Sequence, residues 1–293
     1  MSTQDTDHAT ATGDAQQQTG PGDSAFTTKR DNLIRNLHEI GYMYERHLHR
    51  MNIRTDQAFL DSYKSLLYKT TNEIKNIQLD IRFHGRGPAT VSEWFAIVFA
   101  QMFDPNFVLF TASLLEHGRV HPNSYSGINP EHLNFFKLAG RITGMAIRES
   151  EVLPRRLTKA MLRQIQGDEV KPLSTEDLME DLKHVDEERY STLTAMLESH
   201  EAYAIGKTFS INIDKFGVTE TIDLVDNGRN IPVTGEHKEE YVRLVAEYVL
   251  ERSVKDQLDT FAAVVHDVLP PESLLGWSEE ELDRLFSGLW QRL

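Results

Sequence analysis

Two histidine pairs come nearest to metal chemistry in this chain. His47 and His49 stand two apart, and His117 and His121 stand four apart. Side chains four apart share a helical face and can hold one zinc ion, whereas side chains two apart on a helix diverge. The segment running toward His49 reads as the end of a helix, so that pair cannot easily share an ion. Gly118 and Pro122 make the second segment a loop, and no carboxylate motif completes either pair. Neither a metal nor a cofactor is expected. Gly85-Arg86-Gly87 lacks the Lys-Ser/Thr ending of a phosphate loop, and no serine sits in a nucleophile elbow. The 293 residues contain no cysteine, which removes disulfides, thiolate metal sites and any thiol nucleophile. No catalytic residue is expected.

At 40% hydrophobic residues, the chain can bury a substantial core as one large domain or two subdomains. Its formal net charge of -14 argues against a nucleic-acid partner, because phosphate binding needs clustered Lys and Arg. Its apolar runs fall far short of the roughly 18 residues that a membrane span needs, and the N-terminus lacks the basic-then-apolar order of a signal peptide. A cytoplasmic location, alone or together with the nucleus, is expected. Residues 1–25 are rich in Ser, Thr, Gln, Gly and Asp, without Lys or Arg. They offer too little apolar surface to offset ordering entropy and are expected to be disordered.

Phe26, Leu33, Ile34, Leu37 and Ile40 then recur at helical spacing, and the pattern predicts further helix toward His49. A second helix carries Phe59, Leu60, Tyr63, Leu66 and Leu67. Ile77, Leu79, Ile81 and Phe83 alternate with polar residues and predict a half-buried strand. Thr90 with Glu93 predicts a capping box before a helix bearing Trp94, Phe95, Val98, Phe99 and Met102. Asn129-Pro130 predicts the start of the next helix. Gly140 and Gly144 inside that helix each cost roughly 1 kcal/mol against Ala, which implies close approach by another element. Ser174 and Asp186 are candidate caps of two further helices. Phe209, Ile211 and Ile213 alternate into a turn at Asp214–Gly217 and a returning strand over Val218–Leu224. Asn227-Gly228 marks another tight turn. One long helix is expected from Glu236 to about Val268, and Ser278 with Glu281 predicts a last capping box.

In order along the chain, Asp61-Ser62-Tyr63, Glu93-Trp94-Phe95, Phe103-Asp104-Pro105 and His132-Leu133 with Phe136 precede Gly140-Arg141-Ile142-Thr143-Gly144-Met145-Ala146. Asn227-Gly228, the Pro232-Val233-Thr234 strand and the helix through Tyr241 follow. This series resembles the N-lobe of a HECT-type ubiquitin ligase across residues 26–288. The resemblance implies a predominantly helical α+β fold with two parts. One is a large helical subdomain; the other is a small subdomain at about 157–224 that carries a β-hairpin. Residues 289–293 would begin the hinge to a second lobe.

The family resemblance further implies a partner, a ubiquitin-conjugating enzyme carrying ubiquitin, and a protein substrate downstream. The conjugating enzyme would dock in an apolar groove formed by Leu193, Met196, Ile205 and Tyr241. From helical spacing alone, Leu193 and Met196 read equally well as core. Arg189, Ser199, Lys207 and Val245 depart from the apolar or aromatic residues expected around such a groove. The loop His84–Thr90 is shorter and more basic than its counterpart, and Glu116 stands where a second ubiquitin site would need an aromatic ring. The family's transfer step needs a thiolate. With no cysteine, the chain is expected to dock the carrier without accepting ubiquitin. The alternatives are a non-catalytic adaptor or decoy for conjugating enzymes, and a helical scaffold unrelated to ubiquitin.

Overall fold

The structure is a computed structural model that describes residues 21–42, 47–113, 118–167, 171–199, 206–215 and 217–288. Helix α1 (Pro21–Tyr42) leads into β1 (His47–Ile53), α2 (Ala58–Leu66), α3 (Thr71–Asn76), β2 (Ile77–Phe83), β3 (Gly87–Ala89) and α4 (Val91–Met102). There follow β4 (Phe110–Ala112), β5 (Arg119–Pro122), α5 (His132–Arg148), β6 (Arg156–Leu157) and α6 (Lys159–Gln166). Next come α7 (Thr175–Val185), α8 (Glu187–Glu198) and the hairpin β7 (Ser210–Lys215) and β8 (Val218–Asp223). The last helices are α9 (Lys238–Leu250), α10 (Lys255–Val265) and α11 (Glu279–Ser287).

Two hydrophobic cores organise these elements. The larger gathers Phe59, Trp94, Phe95, Phe136, Phe261 and Phe286 from helices α2, α4, α5, α10 and α11. Helix α1 closes over it. Phe26 meets Trp277 edge-on at 6.2 Å, and Lys29 bonds Glu281 at 2.6 Å. The smaller core gathers Leu178, Leu182, Leu193, Met196, Ile211 and Tyr241 from α7, α8, the hairpin and α9, with Phe209 just before the hairpin. It extends to Leu250, beyond the limit of 224 expected for the small subdomain, because α9 supplies one wall of it. Helix α6 is divided: Met161, Leu162 and Ile165 face the larger core and Ala160 the smaller. This mostly helical α+β arrangement is the one anticipated.

Local chemistry sets several boundaries. The capping boxes at Thr90–Glu93 and Ser278–Glu281 are both formed, and Ser174 and Asp186 cap α7 and α8 through their side chains. In the hairpin, Gly217 adopts φ +84° and its N–H donates to Asp214 Oδ1 at 2.8 Å. Gly140 is required by packing, since a Cβ there would lie 2.3 Å from the Phe261 carbonyl oxygen on α10.

Four expectations need correction. The stretch toward His49 is strand, not helix. It pairs parallel with β2 from His47↔Ile77 to Ile53↔Phe83, because the β2 edge offers backbone partners that local propensity cannot anticipate. His47 and His49 therefore share a strand face, and His49 Nε2 hydrogen-bonds Ser65 Oγ at 2.7 Å. The helix expected at Asn129-Pro130 starts at His132. Asn129 instead accepts from the Glu131 N–H at 2.9 Å in a local turn. The single helix expected over 236–268 is broken at Glu251–Val254 into α9 and α10, since the two halves serve different cores. Finally, helix begins at Pro21, inside the 1–25 stretch expected to lack order, with proline in the first turn where its missing N–H is tolerated. The remainder of that stretch, residues 1–20, and the expected hinge start at 289–293 lie outside the described residues.

Candidate functional site

Helices α8 and α9 build the candidate site. Leu193 and Met196 are three apart on α8 and so share its inner face. The N-terminus of α8 is set by Asp186. Its carboxylate accepts from the Arg189 N–H and from Arg189 Nε, each at 2.9 Å. The C-terminus is tied to α9, where Lys238 Nζ donates to the carbonyls of Leu197 at 2.6 Å and Ser199 at 3.0 Å. A cation placed on these end carbonyls also complements the helix dipole. The two helices are thus fixed relative to each other at the end where Tyr241 stands.

Tyr241 packs edge-on against Phe209, with ring centroids 6.0 Å apart. Phe209 is held in turn by backbone pairing. Its N–H donates to the Ile231 carbonyl at 3.0 Å, and its own carbonyl accepts from the Leu224 N–H at 2.8 Å. Gly228 is needed beneath it, because a Cβ there would approach the Phe209 carbonyl oxygen to 2.1 Å. The same extended segment carries Lys207, whose carbonyl accepts from the Val233 N–H at 2.9 Å.

Leu193, Met196 and Tyr241 come together around a surface pocket of about 260 Å³, together with Val245, Arg189 and Lys207. Glu188 and Thr192 of α8, both exposed, also line it. Leu193, Met196 and Tyr241 are 4%, 1% and 5% exposed. Their mass therefore belongs to the smaller core, and only an edge of each reaches the pocket. Burial raises the Tyr241 pKa, with nearby Arg189 working the other way, so the phenol is neutral. Ile205, the fourth expected groove residue, lies outside the described residues, as do His117 and Glu116. Glu188 and Thr192 were missed from sequence because exposed residues of an amphipathic helix carry no periodic signal.

A second cavity, of about 500 Å³, opens between the two cores, and Asp186 and Arg189 line it too. Tyr125 bridges the cores here, its hydroxyl donating to the Asp214 carbonyl at 2.7 Å. His121 is buried against Thr158 Oγ1 at 2.8 Å, and burial pushes its pKa down to about 3, which leaves the ring neutral. Among the described residues, no three His, Asp or Glu side chains converge to hold a metal ion. No described helix is long and apolar enough to cross a membrane. The site offers a binding surface of apolar edges and flanking charge.

A family profile described as "HECT-domain (ubiquitin-transferase)" matches residues 96–291. The chain belongs to the HECT-domain family. It is 40% identical over 271 residues to the E3 ubiquitin-protein ligase TOM1-like of Neurospora crassa, covering 90% of this chain and 6% of that protein. It is 37% identical over 243 residues to the E3 ubiquitin-protein ligase TOM1 of Saccharomyces cerevisiae, covering 82% of this chain and 7% of that protein. It is 32% identical over 244 residues to the probable E3 ubiquitin-protein ligase hulA of Aspergillus oryzae, covering 82% and 29%. The chain thus spans less than a tenth of the TOM1-type relatives and under a third of hulA. The mostly helical α+β arrangement with small sheets agrees with that membership.

Proposed function

We propose that this HECT N-lobe docks a ubiquitin-conjugating enzyme at the pocket between α8 and α9, as a step in the ubiquitination of a protein substrate. The supporting observation is the convergence of Leu193, Met196 and Tyr241 on one surface pocket, from positions that the family resemblance links to carrier docking. The proposed docking does not bury these side chains anew; it covers their exposed edges and the flanking Arg189, Thr192 and Lys207. These 293 residues hold no cysteine. Accepting ubiquitin as a thioester therefore lies outside their own chemistry, because that exchange requires a thiolate. The proposed place of action is the cytoplasm, alone or together with the nucleus.

The absence of cysteine also favours a second reading, in which these residues act as an adaptor or decoy that holds conjugating enzymes without transfer. One titration tests docking in both readings. A panel of purified conjugating enzymes is measured against the wild type and Thr192→Arg, which adds bulk and charge at an exposed pocket position without disturbing the core. The expected result is saturable binding of some members, weakened about tenfold in the variant, with melting unchanged. Failure of every member to bind would leave a helical scaffold with no carrier. Incubation with activating enzyme, conjugating enzyme and ubiquitin should give no reductant-sensitive adduct on this chain, and such an adduct would refute the thiol argument.

A further inference from the structure

Lys207 brings an uncompensated charge to the pocket. Its backbone is fixed by the bond from Val233 and by the bridge between Thr208 and Pro232, so the side chain departs from a set position. The residue is half-buried. Among the described residues its ammonium makes no hydrogen bond and no ion pair. The neighbouring cations are already engaged: Arg189 by Asp186, and Lys238 by the Leu197 and Ser199 carbonyls. The Tyr241 hydroxyl likewise makes no hydrogen bond among the described residues. Two donors without acceptors thus line a pocket whose other lining includes the apolar edges of Leu193, Met196 and Val245.

The acids in the same lining do not cancel this charge. Asp186 is held by the backbone and side chain of its own helix. Glu188 is exposed at the pocket rim, where ionic screening is strongest. Lys207, half-buried as a residue, sits where screening is weaker than at the exposed rim, so it gains more from an incoming anion.

We propose that the occupant is a loop of the conjugating enzyme that presents a carboxylate beside an apolar anchor, and that Lys207 selects enzymes whose loop carries an Asp or Glu there. This rests on the docking reading above. The apolar anchor covers Leu193, Met196 and Val245, and the carboxylate accepts from the Lys207 ammonium and the Tyr241 hydroxyl. Charge placed at the edge of an interface governs partner choice and salt dependence more than total affinity.

The test compares wild type, Lys207→Met and Lys207→Glu against conjugating enzymes that do or do not carry an acidic residue beside the apolar residue of that loop. Dissociation constants are measured at low and high salt, with melting curves to confirm folding. Enzymes with the acidic residue should bind Lys207→Glu roughly three- to tenfold more weakly than wild type. Lys207→Met should fall between the two and lose the salt dependence. Changing the enzyme's acid to Lys should restore binding to Lys207→Glu. Equal weakening of all enzymes regardless of loop charge, or no change with any of them, would overturn the selection while leaving docking intact. If no enzyme binds the wild type, docking itself fails and this inference falls with it.

Discussion

Gly140 and Gly144 show how much one missing methyl can decide. Both lie in α5 where α10 crosses it, but the room left for them differs. A Cβ on Gly140 would meet the Phe261 carbonyl oxygen at 2.3 Å and Val264 Cγ2 at 2.5 Å, whereas a Cβ on Gly144 would meet Val268 Cβ at 3.0 Å and the Val265 carbonyl oxygen at 3.1 Å. Alanine gains about 1 kcal/mol of helix propensity at either position, and overpacking costs about 1–3 kcal/mol. Gly140→Ala should therefore be clearly destabilised in urea unfolding, because its Cβ would overlap a backbone oxygen at 2.3 Å, where a shift of a few tenths of an ångström cannot relieve the clash as it can at 3.1 Å. Gly144→Ala should lie close to wild type. Equal losses at the two positions would count against this account. The sequence made the close approach legible, since glycines inside a helix need a reason, but it did not reveal the partner helix. The candidate site shows the same limit. Spacing alone left Leu193 and Met196 equally suited to core or groove, and both descriptions apply, because each side chain is buried except for one edge.

At the scale of elements, legibility followed the range of the interactions that fix each boundary. Caps are local, and Thr90, Ser174, Asp186 and Ser278 were readable because donor and acceptor lie within three residues. Strand β1 was not readable, because its hydrogen-bond partners begin at Ile77. The break between α9 and α10 falls at Glu251-Arg252-Ser253-Val254, which has neither Gly nor Pro. Arg252 donates to the Leu224 carbonyl at 3.0 Å there, so a distant contact marks the break. The box at the start of α3 offers a quantitative test of local capping. Glu73 accepts from Lys69 Nζ at 2.8 Å and from the Thr70 N–H at 2.8 Å, and these bonds hold its pKa down to about 2. A carboxylate depressed in the folded state stabilises above its ordinary pKa near 4.5 and loses that contribution as pH falls toward 2. An NMR titration of Glu73 should therefore show a midpoint near 2, and Lys69→Met should raise it. Thr70→Ala should cost about 1 kcal/mol of stability. A Glu73 midpoint near 4.5 in the wild type would mean the box does not persist in solution.

The whole molecule is joined through charge buried between its two cores. Arg119 on β5 is 3% exposed, donates to the Leu157 carbonyl at 2.6 Å, and contacts Asp283 of α11 at 3.2 Å and Asp181 of α7 at 3.6 Å. Asp283 also binds Arg156, and Asp181 Oδ2 accepts from the Ala160 N–H of α6 at 3.0 Å. No sequence window contains this cluster, because its members come from positions as far apart as 119 and 283. Asp181 Oδ1 is enclosed without a hydrogen-bond partner. Burial raises the Asp181 pKa to about 7, outweighing the opposing pull of Arg119. The sign is opposite to that of Glu73. Below about pH 4 Asp181 is protonated in both folded and unfolded chains and carries no penalty. As pH rises toward 7 the unfolded chain ionises it freely while the fold resists, so its contribution to stability falls across that window. Asp181→Asn keeps an acceptor for Ala160 and removes the titration. The variant should gain on wild type steadily from pH 4 to 7 and hold that gain above 7, by an amount of the order of a few kcal/mol. Asp283→Asn should instead lose about 3 kcal/mol or more at neutral pH, because it strips a counter-charge from buried Arg119. Urea unfolding of the three proteins at pH 4, 5.5, 7 and 8 separates these effects. A difference between Asp181→Asn and wild type that stays constant with pH would show that Asp181 does not resist ionisation, and that the cluster binds the two cores as an ordinary salt bridge.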